Sequence, residues 1–382
     1  MIDPDFSLSW PTGLFVWEAR RLLQISAGSD WPDMVRHLVE EAFEDVQMVE
    51  YFDEKFTAPA EWANALNVLV IKKWLEDLIA DPNKLVQYNH PKYWAERHDK
   101  LDENMSHGRV STMAEDWVAL IDKHSAEGYL PRILPVPCVD AHSSWPDPER
   151  VTAEIQRATH LRVEWPLTPD SANSLPESVL YSLIEYFHDQ SQRPRTASYH
   201  SFNDCGYHYS DFNRDSGGAV YRWRVNGILE AHGVPYRLGI QGDERGRLVR
   251  YFGGDLDSVL SGQLSVRHEN PKDEVVHAIR MFRARGATTT DKRAALALLA
   301  RDLEPRRKAI GQLVSKGDES DIFNIANNFN IRHNTKQKTE YGEEFLDWIF
   351  WNYLAMIQLM DALKSGRGKP SDNAADDSGT SA

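Results

Sequence analysis

The feature that most constrains this chain is a four-residue recurrence of apolar side chains, interrupted by prolines, over much of its length. In DWPDMVRHLVEEAFEDVQMVEYF, Met34, Leu38, Ala42 and Val46 recur at helical spacing, which predicts an amphipathic helix opened by Pro32 and Asp33. EWANALNVLVIKKWLEDLIAD repeats the pattern with Ala63, Leu66, Val70 and Trp74 on one stripe, and Asp81-Pro82 stops it. The chain from residue 12 to 80 therefore reads as helix after helix, and the fold class as mainly α.

At 382 residues the chain exceeds what one hydrophobic core usually serves, so more than one domain is expected. With 41% hydrophobic residues it can bury those cores. No run of about eighteen apolar residues occurs, and MIDPDFSLSWP lacks the features of a secretory signal, so the expectation is a soluble, cytoplasmic protein without membrane association. Cys138 and Cys205 are too few for a disulfide framework or a four-cysteine zinc site.

The pattern changes along the chain. DWVALIDKHSAEGY reads as a short helix ending near Gly128, and the proline-dense PRILPVPCVDAHSSWPDPER reads as an extended connector. LPESVLYSLIEYFHDQ is a helix with Ser174 as its expected N-cap. The aromatic loop SYHSFNDCGYHYSDF follows, then the helix AVYRWRVNGILEAHG. VPYRLGIQGDERGRLVRYF alternates about a GDERG turn and reads as a β-hairpin. Four helical stretches come after residue 271, the second kinked at Pro305, and predict an up-and-down bundle. The expected domains are an acidic helical domain (1–144), a small α+β unit with a basic helix and hairpin (145–262), a helical bundle (263–364) and a disordered tail (365–382).

Charge is uneven. The net charge of −15 opposes nucleic-acid binding by the surface as a whole. Residues 1–144 carry roughly twice as many acids as bases, whereas residues 217–316 have an excess of about seven bases. Arg222, Arg224, Arg237, Arg245, Arg247 and Arg250 lie on the helix and hairpin, followed by Arg280, Arg283, Arg285, Arg306, Arg307 and Lys308. They read either as a phosphate-facing surface of winged-helix type or as partners for acidic side chains.

Three constellations carry possible chemistry. In NNFNIRHNTKQKTEYGEEFLDWIFWNYLAMIQL, Arg332, His333 and Asn334 lie in a joint between two apolar helical stripes, the second formed by Leu346, Ile349, Phe350, Tyr353, Ile357 and Met360. A guanidinium there can clamp a phosphate and an imidazole can move a proton. His200, Cys205 and His208 are potential zinc ligands, but a fourth ligand is not apparent, so they read as polar tips of aromatic packing. His37, Glu40, Glu41, Glu44 and Asp45 share a helix in a spacing that di-metal bundles use; without a matching second helix they read as a solvated acidic face. No metal and no cofactor is assigned. The usual motifs for P-loop nucleotide hydrolysis, dinucleotide redox chemistry, serine hydrolysis and zinc proteolysis are absent from the sequence.

The joint before the last helix resembles that of the HEPN superfamily, many of whose members are metal-independent ribonucleases acting as dimers. SYHSF, the AVYRWRVNGILEAHGVPYRLG stretch and DESDIFNIANNFNIRHNTKQKTEY together are similar to an abortive-infection-associated, AbiJ-like bacterial group, over roughly residues 175–364. The resemblance implies a HEPN-like four-helix bundle and a defence or toxin-like protein acting on RNA. Arg332 would be the phosphate clamp and His333 the acid or base; Asn334, Lys336, Gln337, Lys338 and Tyr341 would contact nucleic acid. Where the family carries a further His, this chain has Gln337 or Lys338. The alternatives are a nucleic-acid-binding or dimerising module without catalysis, and a joint that only caps the bundle. The sequence names no antitoxin or sensor partner.

Overall fold

In the computed structural model the described residues are 6–26, 28–56, 64–90, 111–138, 147–267, 273–313 and 342–364, with 317, 320 and 322–324. They are mainly helical, and their strands form three separate two-stranded sheets. The chain divides into two compact units, residues 1–234 and 235–382.

In the first unit, β1 (Ser7–Leu8) pairs in parallel with β2 (Val86–Gln87). Helices α1 (Thr12–Gln24), α2 (Trp31–Ala42), α3 (Val46–Phe56) and α4 (Asn64–Ala80) surround a core that includes Trp10, Phe15, Trp31, Leu38, Phe52 and Trp74. The helix expected to run through Val46 ends at Ala42. Asp45 accepts hydrogen bonds from the Ser7 backbone and hydroxyl, so a tertiary contact ends the helix and leaves Val46 exposed. On α4 the buried stripe is Ile71, Trp74, Leu75 and Ile79; Val70 faces out.

A capping box between Thr112 and Glu115 starts α5 (Met113–Ala126). Asp147 caps α6 (Pro148–Thr159), with proline at its first position. Ser174 ends the short α7 (Pro169–Asn173) instead of starting the next helix; α8 (Glu177–Gln190) begins behind Pro176, whose fixed φ suits a helix entry.

The segment expected to be an aromatic loop is an antiparallel hairpin. β3 (Arg193–His200) pairs with β4 (Gly206–Asn213), with Ser198 opposite His208 and Tyr199 opposite Tyr207. Asn213 then caps α9 (Arg214–Ala231). Tyr221 of α9 accepts from Trp117 Nε1 at 2.9 Å and donates to the Ile184 carbonyl at 3.1 Å, joining α5, α8 and α9. Val220 lies in the same core as the N-terminal helices. For that reason α9 belongs to the first unit, apart from the hairpin with which it was expected to form a middle unit.

In the second unit, β5 (Tyr236–Leu238) and β6 (Leu248–Arg250) form the expected hairpin. After α10 (Gly254–Arg267) come α11 (Glu274–Arg283), capped by Asp273, and α12 (Thr289–Leu303), opened by a Thr288–Asp291 capping box. Pro305 lies in a single 3-10 turn before α13 (Arg307–Leu313), as the kink predicted. α14 (Glu343–Lys364) buries Leu346, Ile349, Phe350, Tyr353 and Ile357 in a helical-bundle core. At its centre the rings of Phe282 and Phe350 stack 4.0 Å apart, 9° from parallel.

Candidate metal centre

The β3–β4 turn gathers three of the chemistry-bearing side chains of the first unit. Alternation along a strand puts Ser198 and His200 on one face, and Ser198 pairs with His208, so the two histidines are diagonal neighbours. Their rings stand 4.9 Å apart. Asn203 and Gly206 adopt positive φ, 52° and 87°, and turn the chain between the strands. Cys205 lies in that turn with its Sγ 3.1 Å from His208 Nε2.

The fourth group comes from the proline-dense connector. Cys138 follows Pro137, whose carbonyl lies 3.9 Å from Cys205 Sγ. Ligand atoms of Cys138, His200, Cys205 and His208 all lie within 4.8 Å of one another. Tetrahedral zinc, about 2.3 Å from sulfur and 2.0–2.1 Å from nitrogen, would hold its ligands roughly 3.3–3.8 Å apart. The four ligand atoms, within 4.8 Å of one another, approach that spacing. Two thiolates and two imidazoles suit zinc rather than magnesium or calcium, and four protein ligands close the coordination sphere. Among the described residues this is the group of His, Cys, Asp and Glu that converges in this way. Sequence spacing supplied three members; the fourth becomes visible only when the connector packs on the hairpin.

The hairpin is anchored at its other end by charge. Arg193, fully buried, donates to Glu41 at 2.6 Å and Glu18 at 3.1 Å, and its guanidinium lies over the Trp10 ring at 5.4 Å. Burial would lower the Arg193 pKa, but Glu41, Tyr129 and Glu18 outweigh it and hold the guanidinium above its ordinary value. Tyr129 donates to Glu41 at 2.7 Å and Ser216 donates to Glu18 at 2.5 Å, so both carboxylates have several donors.

Beside this anchor is a cavity of about 580 Å³. α2 contributes His37, Glu40 and Glu41; α5 and α9 supply the facing wall; Tyr209 of β4 joins the lining. The acidic set expected to be a solvated face thus lines a cavity in part, with Glu44 beyond the end of α2. His37 is buried, and the Glu40 and Glu41 carboxylates stand 3.6 and 3.9 Å from its ring nitrogens.

The residues of the sequence-predicted RNA site, Arg332, His333, Asn334, Lys336, Gln337, Lys338 and Tyr341, lie outside the described residues. Several members of the basic run have partners within their own unit. Arg224 bonds Glu127 at 2.5 Å, Arg250 bonds Asp347 at 3.0 Å, Arg280 bonds Asp243 at 2.7 Å, and Arg306 bonds Asp361 at 2.6 Å. No helix among the described residues is long and apolar enough to cross a membrane.

With this geometry in view, the chain was compared with known proteins: no family model matches it, and neither the curated proteins nor the solved structures yield a match.

Proposed function

We propose that this is a zinc protein whose metal is structural, bound by Cys138, His200, Cys205 and His208. The observation that carries the reading is the mutual approach of four ligand atoms within 4.8 Å, drawn from two segments distant in sequence. A closed Cys2His2 set leaves no position for water or substrate, so the ion serves as a staple between connector and hairpin. Two deprotonated thiols and two neutral imidazoles bind best above mildly acidic pH, so metal release on acidification is expected. The test is cobalt substitution: tetrahedral thiolate–imidazole coordination gives characteristic visible absorption, which Cys205→Ser should weaken and shift. Octahedral, weakly absorbing cobalt in the wild type would reject the site.

For the second unit we propose action on RNA, through Arg332 and His333, as a defence or toxin-like endoribonuclease. The resemblance in the joint before α14 supports this, together with a helical-bundle core in the same stretch of chain. The alternative is a binding or dimerising bundle. Incubation with total RNA in magnesium-free buffer, comparing wild type with an Arg332→Ala/His333→Ala variant, separates them. Zinc content is checked in the same samples, because strong chelators would also strip the first unit. Cleavage by the wild type alone supports catalysis; equal inertness supports the binding module.

A further inference from the structure

We propose that Cys138 and Cys205 are a site of oxidative modification: a hydroperoxide converts their thiolates to a disulfide, and the metal is ejected. This rests on the zinc reading and adds to it a reactant and a covalent product.

Cys138 and Cys205 are the whole cysteine complement of 382 residues, and their sulfurs lie within 4.8 Å of each other although they come from distant segments. With no third thiol in the chain, an oxidised sulfur at either position has one intramolecular thiol to condense with. Both side chains are partly exposed, so a small solute can reach them. A disulfide needs its sulfurs about 2.05 Å apart, so one side must move. Cys205 is held in the turn between two paired strands, whereas Pro135 to Pro137 belong to no helix or strand. The movement therefore falls to the connector.

Cys138 also has a route of its own. A cavity of about 250 Å³ is lined by Cys138 and His208 together with Pro131, Val136 and Phe212, and Cys205 lies off that lining. Apolar walls favour a small neutral oxidant over an anionic one, which would leave its hydration behind. Four protein ligands give zinc no open position, so the oxidant meets sulfur rather than metal.

The steps balance with one peroxide. The Cys138 thiolate attacks a peroxide oxygen; an S–O bond forms, the O–O bond breaks, and water or an alcohol leaves once the departing oxygen takes a proton from solvent. The Cys205 thiolate then attacks the sulfenic sulfur; an S–S bond forms and the S–O bond breaks with loss of hydroxide. Two electrons pass from the two sulfurs to the peroxide. A disulfide offers no thiolate, and two imidazoles alone hold zinc weakly, so the ion leaves. The covalent bond takes over the link between connector and hairpin, and a dithiol reductant restores the metal-binding form.

Zinc-loaded full-length protein is treated with hydrogen peroxide while a chromogenic indicator follows zinc release, and its proteolytic fragments are then analysed by mass spectrometry. One linked pair of peptides carrying Cys138 and Cys205 should appear for each zinc released, and dithiothreitol with added zinc should reverse both. Val136→Phe, which narrows the cavity beside Cys138, should slow release at least ten-fold while the untreated variant keeps its full zinc content. Zinc retained after peroxide, or release with sulfinic and sulfonic cysteines and no linked pair, would overturn the inference and leave the zinc reading standing. A wild-type release rate in zinc-replete Val136→Phe would overturn the route through the cavity. Protein that holds no zinc before peroxide is added would reject the zinc reading itself, and this inference with it.

Discussion

Gly128 lies against the ring of Tyr209 so closely that a Cβ would come within 2.4 Å of a ring carbon. Gly128 ends the turn after α5 with φ of 76°, and Tyr209 directly follows the proposed ligand His208. A helix terminus, the start of the connector and the metal-bearing strand therefore meet at a point where only a hydrogen fits. Gly128→Ala should strain the left-handed backbone and displace the ring, at a cost of about 1–3 kcal/mol. Chemical denaturation measures that loss; an unchanged midpoint would show that the ring moves aside freely.

The Arg193 guanidinium holds β3 against α1 and α2. Arg193→Met preserves the stem but leaves Glu18 and Glu41 without their buried cation, and should destabilise the first unit by roughly 3–5 kcal/mol. Adding Glu41→Gln should recover part of the loss, because one of the two carboxylates that lose Arg193 becomes neutral, while Glu18 keeps Arg21 and Arg195 at 3.9 Å. A double-mutant cycle in urea gives the coupling, and purely additive losses would contradict the buried network.

His124 supplies a pH dependence. It is fully buried, and burial first, then Arg224 and Lys123, hold its pKa well below the ordinary 6.5. Arg224 donates to its Nδ1 at 3.0 Å, which places the ring proton on Nε2 in the neutral form. Below 6.5 the unfolded chain takes up a proton that the folded chain excludes, so stability falls with acidity; well above 6.5 the two states bind alike and the term vanishes. His124→Gln should flatten the stability profile between pH 7 and pH 5 relative to wild type. An unchanged slope would assign the acid sensitivity to other groups, the zinc ligands among them.

In the second unit, the Phe282–Phe350 stack predicts that Phe350→Ala costs about 3–5 kcal/mol, since the ring is completely buried. Trp348→Ala is the matched control, because that side chain is about half exposed on the same helix. Thermal unfolding followed by circular dichroism should show a large drop for the first variant and a small one for the second. Equal drops would place the core elsewhere.

Helices were the legible part of this sequence, because a buried stripe writes a period of 3.6 into it; the stripe through Leu346, Phe350, Tyr353 and Ile357 is an instance. Helix ends set by tertiary contact were not legible: nothing near Val46 announces that Asp45 will accept from Ser7. The β3–β4 hairpin was missed for a related reason. Its strands alternate Ser198, Tyr199, His200 and Gly206, Tyr207, His208, and Tyr199 and Tyr207 face solvent, so no apolar face marks the period of two. With the hairpin unseen, His200 and His208 had no reason to be neighbours. Cys138 was out of reach altogether, since its place depends on the connector folding back, and the proline spacing of that connector says only that it is extended.

The most direct test of the account is the metal content of purified full-length protein. Inductively coupled plasma mass spectrometry after exhaustive dialysis should find one zinc per chain, and well below one for Cys138→Ser and for Cys205→Ser. Loss in the Cys138 variant is the decisive result, because that residue reaches the site only through the fold described above. A wild-type protein without zinc, or a Cys138→Ser variant that retains a full equivalent, would contradict the metal centre.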